Sequence, residues 1–418
     1  LRVVARTSAF SFKGKSEDVR RIGGRLNVGT VLEGSVRILG DTLQVSAQLV
    51  NTSDGYGLWS GRYRRPLREL LAVEDSIGRG IATALRIKTA ATDRTTLTAS
   101  TDNADAHRLY LKGRYHLTKQ SPEDYRQARD FFDQAIGQDP TSALAYSGLA
   151  DAYISLGAFL LPGEVYPKAR AAAQKALALD PNLPEAHISA GGVGIWYDWD
   201  WKGAEQSLQT ALALNPNSAA AHLFFGQLLV FLGRFDEAAA QLSQARQLDP
   251  LSPDIEVTAV WPLVFGRRYD QAIDAVRRTI ATDSSILGAH FLLGETYMFK
   301  GDYRSALAEF RSVRAAVPDQ PDALAHQGYC YARLGQGPQA RALLDTLSTR
   351  FSHGNVEAYT VALVYAGLGE RDRAFEWLSK AYDEHSTWLP FAKVSPALDT
   401  LRSDPRYPAL LKRLGLES

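Results

Sequence analysis

Small apolar residues return at a nearly fixed interval through most of the chain. Ala128, Ala169, Ala204, Ala238, Ala272, Ala306, Ala340 and Ala374 follow one another at spacings of 41, 35 and then 34 residues. Seven positions after each stands a second small or apolar residue: Ala135, Ala176, Ala211, Ala245, Thr279, Val313, Leu347 and Ala381. Four positions after the alanine the residue is large, as at Phe132, Leu208, Leu242 and Phe310. Twelve before it lies another small column, Gly226, Gly294, Gly328 and Ala362, from which Val260 departs. Offsets of four and seven share one helix face, and two helices approach closely only where side chains are small. The pattern predicts antiparallel helix pairs. Pro140, Pro181, Pro216, Pro250 and Pro318 end the second helices, while Ser284, Ser352 and Ser386 replace proline in that column. One pair cannot cover its own large residues, so neighbouring pairs must stack.

Residues 1–90 follow a different period. Val28 to Leu39 and Leu43 to Val50 are β-rich runs joined by Gly40-Asp41, a hairpin signal, and Leu58 to Tyr63 supplies a third strand. Leu1 to Ala5 reads as an opening strand. Ser16 to Leu26 and Leu67 to Ile87 are helical by spacing, the second led by Pro66. A Thr/Ser/Asp-rich stretch, 91–105, reads as a linker. About seven extra residues around Phe159-Leu-Leu-Pro-Gly163 are expected in the inter-helix loop of the second unit. Residues 387–418, with Leu398, Leu401, Leu410 and Leu414, predict a closing amphipathic helix that gives the stack a polar end.

The eight registered columns resemble the tetratricopeptide repeat, whose period is about 34 residues. The resemblance covers 106–386 and implies a mostly α protein: a right-handed α-solenoid with a small N-terminal α/β domain. Leu1-Arg-Val-Val-Ala-Arg-Thr-Ser8, Glu33-Gly-Ser-Val36, Gln48-Leu49 and Leu58-Trp-Ser60 resemble the TolB amino-terminal-like domain, which commonly precedes such repeats in bacterial signalling proteins. That likeness implies a parent with an upstream effector: a class III adenylate or guanylate cyclase, a Ser/Thr kinase, or a winged-helix regulator of the CadC kind, often beyond a membrane span. The start at Leu1 fits a longer parent. Compartment, cytoplasmic or periplasmic, stays open.

Composition narrows the chemistry. Residues 1–90 carry 15 Lys and Arg against 8 Asp and Glu, so they are +7 while the whole chain is +1. Nucleic-acid contact through Arg2, Arg6, Lys13, Lys15, Arg20, Arg21, Arg62, Arg64 and Arg65 is disfavoured, because no stacking aromatics accompany them. Cys330 is the only cysteine, which removes disulfides and thiolate zinc sites. The longest apolar run, Ala221 to Leu232, is too short to span a bilayer. Gly24-Arg-Leu-Asn-Val-Gly29-Thr30 lacks the lysine of a phosphate loop and reads as a turn into a strand. His187, His222 and His290 recur at one repeat position, which favours packing. Trp196, Trp199 and Trp201 are expected to plug one repeat, with Asp198 and Asp200 capping the next helix.

No catalytic, metal or cofactor residues and no small-molecule substrate are expected. A non-catalytic protein–protein interaction scaffold is. In such solenoids the first helix of each pair lines the concave side, and Gln227, Phe231, Trp261, Phe265, Glu295, Phe299, Tyr329 and Arg333 fall there. Their aromatics form a ladder that either packs between repeats or holds a protein or peptide in the groove. A basic clamp for a carboxylate tail is absent from these positions. Self-association and a regulatory-tail role remain as alternatives.

Overall fold

The computed structural model describes residues 3–85 and 103–417, so most of the expected linker lies outside the described residues. In the N-terminal unit, helix α1 (Arg6–Phe10) and helix α2 (Val19–Leu26) precede strands β1 (Thr30–Leu39), β2 (Thr42–Asn51) and β3 (Gly57–Pro66). These form an antiparallel sheet of order β1-β2-β3. Leu39 pairs with Thr42 across Gly40-Asp41, and Gly40 takes φ +56°, as the first position of a tight hairpin loop requires. Leu43, Val45, Ala47 and Leu49 alternate inward on β2. Helix α3 (Leu70–Ala84) covers part of that face through Leu70, Val73 and Ile77.

The expected opening strand is corrected: Val3 to Ala5 join no sheet, and α1 follows directly. The segment is held elsewhere. Ala5 N–H donates to the Leu248 carbonyl at 2.8 Å, and the Ser8 amide reaches Asp249 Oδ1 at 2.9 Å. The repeats thus satisfy backbone groups that a strand would have given to the sheet.

Eight helix pairs follow: Ala104–Leu117 with Pro122–Gln138, Ala143–Leu156 with Pro162–Leu179, Pro184–Val193 with Trp201–Leu214, and Ala219–Phe231 with Phe235–Leu248. In pair 5 the first helix is split into Pro253–Thr258 and Trp261–Phe265 before Tyr269–Thr282. Pairs 6 to 8 are Leu287–Lys300 with Tyr303–Ala316, Pro321–Arg333 with Gly337–Ser352, and Ala358–Leu368 with Arg371–Asp383. Pro262, which lacks an amide hydrogen, accounts for the split. The extra length of pair 2 is shared between a loop at 157–161 and a second helix that begins at Pro162.

No residue of the first alanine column is more than 2% exposed, and none of the second exceeds 9%. At several crossings a glycine of the first helix meets the large residue that follows the alanine, whereas Gly328 meets Val364 of pair 8. A Cβ on Gly113 would stand 2.6 Å from the Phe132 ring, one on Gly226 would stand 2.5 Å from Leu242, and one on Gly294 would stand 2.7 Å from Phe310. Phe132 also abuts Gly148 of the next pair. That one ring therefore locks helix to helix and pair to pair.

Successive first helices touch one another, which places them on the inner side of the curve. The coil also meets itself. Gln120 at the turn of pair 1 donates to Asp254 of pair 5 at 2.8 Å, and Tyr197 after the first helix of pair 3 stacks on His385 beyond pair 8. The chain end is not one helix: 3-10 turns at Leu389–Phe391 and Pro396–Leu401 precede a helix at Arg406–Arg413. Pro390, Pro396 and Pro405 deny amide donors to a continuous helix.

Crossing geometry separates two glycines of similar helical setting. Gly148→Ala should destabilise the chain by about 1–3 kcal/mol through overpacking on Phe132. Gly137→Ala, with open space around it, should stabilise by about 0.5–1 kcal/mol. Urea unfolding of the two variants checks this, and equal effects would remove the crossing role of Gly148.

Candidate functional site

The predicted aromatic ladder exists on the inner wall, and its occupant is the chain's own C-terminal segment. Phe391 lies with its ring centre 4.6 Å from Phe231, 5.2 Å from Trp261 and 5.0 Å from Phe265. Phe299 continues the row at 6.1 Å from Phe265. Trp196 extends the row and meets Phe231 edge-on at 5.3 Å, although the alanine register aligns its neighbour Tyr197 with Phe231. Further along, Trp388 stacks on Tyr359 at 5.8 Å and approaches His326 and Phe291. Gln227, Glu295 and Tyr329 are buried in this wall. The His326 ring lies 3.3 Å from a Glu295 carboxylate oxygen, and the Arg333 Nε–H donates to the Tyr303 hydroxyl at 3.3 Å.

Two carboxylates fasten the segment. Glu357 accepts from the Thr387 amide at 2.9 Å, from the Thr387 hydroxyl at 2.8 Å, and from the Ser386 hydroxyl. Asp322 accepts from the Trp388 indole N–H at 2.9 Å. Burial raises the Glu357 carboxyl to about 7, and it likewise pushes the Asp322 carboxyl up. Glu384 also rises to about 7 through burial while it accepts from the Ala358 amide.

Leu389, Phe391, Val394, Leu398 and Leu401 are all buried. At roughly 2 kcal/mol for each buried large side chain, pulling the segment out costs about 10 kcal/mol. That corresponds to about seven decades in an equilibrium constant, so the interior of pairs 4 to 7 is sealed at rest.

The inner face of pairs 1 to 3 differs in character. Arg114 Nη1–H donates to Asp151 Oδ2 at 3.0 Å, and Ser189 donates to Asp151 Oδ1 at 2.7 Å. The Arg114 and Asp151 side chains are 31% and 24% exposed, so this pair is within reach of solvent. Burial lowers the Arg6 guanidinium below its usual value, with Arg114 adding to the effect. The Tyr110 hydroxyl is raised by burial. Lys13 lies over the Tyr115 ring at 4.3 Å.

Other sequence-level candidates resolve into structural parts. Trp199 stacks on His385 at 4.9 Å, and Trp201 Nε1–H donates to the Leu414 carbonyl at 2.6 Å. The cluster thus clamps pair 3 to the far end of the coil, beyond the single repeat expected for it. Asp200 caps the next helix by accepting from Gly203 N–H at 3.0 Å, whereas Asp198 pairs with Arg170. His187 and His222 bond the carbonyls of Pro181 and Pro216 at 2.9 and 3.1 Å, and His290 pairs with Glu309 at 2.9 Å. Of the basic N-terminal residues, Arg20 pairs with Asp18 and Arg65 with Glu69, Lys13 lies over the Tyr115 ring, and Arg2 lies outside the described residues. Gly24 lies in the last turn of α2, and Asn27 to Gly29 turn into β1. Among the described residues no group of three or more His, Cys, Asp or Glu could hold a metal, and no helix is long and apolar enough to cross a membrane.

A family model described as tetratricopeptide repeat matches residues 199–258 and 300–353. Over those two stretches the helix pairs match the tetratricopeptide repeat. Among curated proteins, the chain is 30% identical over 200 residues to "Putative adenylate cyclase 3" of Rhizobium meliloti, covering 46% of this chain and 34% of that protein. It is 24% identical over 307 residues to "Transcriptional regulator HilA" of Salmonella typhimurium, covering 72% of this chain and 54% of that protein. The chain thus spans a third to a half of the length of these relatives. Among solved structures, yeast Tom70 aligns at 17% identity and TM-score 0.46, over 74% of this chain and 67% of that one. The type IV pilus biogenesis factor PilW aligns at 22% identity and TM-score 0.41, over 50% and 94%.

Two measurements probe the sealed wall. Phe391→Ala should cost about 3–5 kcal/mol of unfolding free energy, as expected for a large aromatic removed from a core. Glu357 binds its proton more tightly folded than unfolded. Its stabilising contribution is therefore full below about 4.5 and lost as pH rises through about 7. The stability advantage of wild type over Glu357→Gln should shrink from pH 4.5 to 8, and a flat difference would contradict the burial of this carboxyl.

Proposed function

We propose that this chain is the protein-interaction and regulatory part of a bacterial signalling protein and contacts its partner through the inner face of pairs 1 to 3. One observation carries the reading. The stretches similar to a named cyclase and to a named transcription regulator cover 46% and 72% of the chain, so they overlap. A segment common to two different outputs supplies neither output, and what it offers both is a recognition surface on a stacked scaffold. On this reading the effector, a cyclase, a kinase or a winged-helix regulator, belongs to the parent protein.

The sealed wall bearing Phe231, Trp261, Phe265, Phe299 and Tyr329 supports a choice of surface. A partner that displaced the C-terminal segment would have to offset about 10 kcal/mol, whereas the Arg114–Asp151 pair is already reachable. Tyr110, Arg114, Asp151 and Glu185 offer an aromatic face with both charge signs, suited to an extended polar peptide. Nucleic acid is the weaker reading, since Arg20 and Arg65 are paired with carboxylates and Lys13 lies over Tyr115.

Benzoylphenylalanine placed at Tyr110 in the parent protein should give a discrete protein adduct in cells. Arg114→Glu should reduce that adduct about tenfold or more, by reversing the charge beside Asp151. Probe placement at Phe231 should give none. Adducts at Phe231 but not at Tyr110 would overturn the assignment of the surface.

A further inference from the structure

Beyond pair 8 the chain crosses the inner wall as a strap that is fastened at both ends. Before it, His385 takes a left-handed φ of +57° and is stacked on Tyr197 at 4.4 Å and on Trp199 at 4.9 Å. After it, Asp399 pairs with Arg267 at 2.7 Å, and the Trp201 indole holds the Leu414 carbonyl at 2.6 Å. Residues 386–392, between these fastenings, contain only the 3-10 turn Leu389–Phe391. A histidine in the left-handed region turns the backbone sharply at one residue, so His385 is a hinge.

The space beneath the strap is acidic. Glu357 accepts from Ser386 and Thr387, and Asp322 accepts from the Trp388 indole. Glu295, itself buried, stands 3.3 Å from His326, whose ring lies 5.5 Å from that of Trp388. Three carboxyls and one imidazole thus share the ground under Trp388 and its neighbours. The charged groups acting on Glu357 are Asp322 and Glu384, and Tyr166 of pair 2 also faces it. Those acting on Asp322 are His326 and Glu295. His326 spends Nδ1 on the Asp322 carbonyl at 2.7 Å, which leaves Nε2 for Glu295. Lys393, next along the segment, is lowered by burial alone. One imidazolium can balance one carboxylate, and ionising the other two beneath a closed strap gathers like charges away from water. With the strap lifted, water reaches the same carboxyls. Closure therefore takes up protons.

We propose that residues 386–392 are a proton-controlled strap: it lies on the inner wall while the carboxyls of Glu357 and Asp322 hold their protons, and on their ionisation it lifts between its two fastenings and uncovers the aromatic ladder. Glu357 titrates at about 7 beneath the closed strap and returns toward its ordinary 4.5 when the strap is open. Closure is thus firmest below about 4.5 and weakens as pH rises through 7. For this one carboxyl the loss between pH 5 and pH 8 is about 70-fold, and Asp322 acts in the same direction. The strap covers the wall of the later pairs, so it is independent of the partner face on pairs 1 to 3.

Hydrogen exchange followed by mass spectrometry on the full chain tests this, with rates corrected for the intrinsic effect of pH. Protection of residues 386–392 should fall by about 70-fold or more from pH 5 to pH 8. At pH 8 their exchange should respond little to low urea, as local opening does, while Phe235–Leu248 in pair 4 should follow the urea dependence of global unfolding. Glu357→Gln should remove most of the pH dependence, and Glu357→Gln/Asp322→Asn should hold protection within about threefold across the range. Protection equal at pH 5 and pH 8, a pH dependence that survives in the double variant, or strap exchange with the urea dependence of the repeats would overturn the proposal. The wild-type measurements decide the matter even where a variant folds poorly.

Discussion

Close approach of helices at small residues is the constraint from which the rest of this structure follows. Ala128 leaves room at the crossing of pair 1, and the missing side chains of Gly113 and Gly148 leave a slot on either side for the Phe132 ring. Leu242 at Gly226 and Phe310 at Gly294 repeat the arrangement. Since each large residue is shared between helices, no pair is complete alone, and the stack is held by nearest-neighbour contacts. The 34-residue interval is the length of chain needed to return a large residue to the next slot.

A stack of this kind leaves an apolar inner wall where its first helices line up, and such a wall is stable only if something covers it. Here the C-terminal segment folds back along pairs 3 to 8, with Phe391 and Trp388 against the aromatic ladder. Its short 3-10 turns suit that role. Polar anchors at Glu357 and Asp322 use donors that the turns leave free, and the cost of burying those carboxyls appears as their raised proton affinity.

The two halves of the inner face thus divide the work. The C-terminal half is core, tied across the coil by Trp199 and Trp201. The N-terminal half keeps the half-buried Arg114–Asp151 pair and meets the opening segment through Phe10 and Lys13 at Tyr115, while Ser8 bonds Asp249 at the end of pair 4.

The sequence by itself determined the helix pairs, their number and their crossing points, because periodicity is a local property and steric fit at small residues needs only spacing to be recognised. The hairpin at Gly40-Asp41 and the strand runs around it were legible for the same reason. Only the tertiary structure decided what lies against the ladder, where the opening segment goes, and which pair the tryptophan cluster clamps. Leu1 to Ala5 carries strand-forming residues, yet its described part spends its backbone bonds on Leu248. Phe231 and Phe391 are 160 residues apart, and no periodic signal links them. Contacts across the coil depend on the summed curvature of eight pairs, a quantity that accumulates from small rotations and is written in no single repeat.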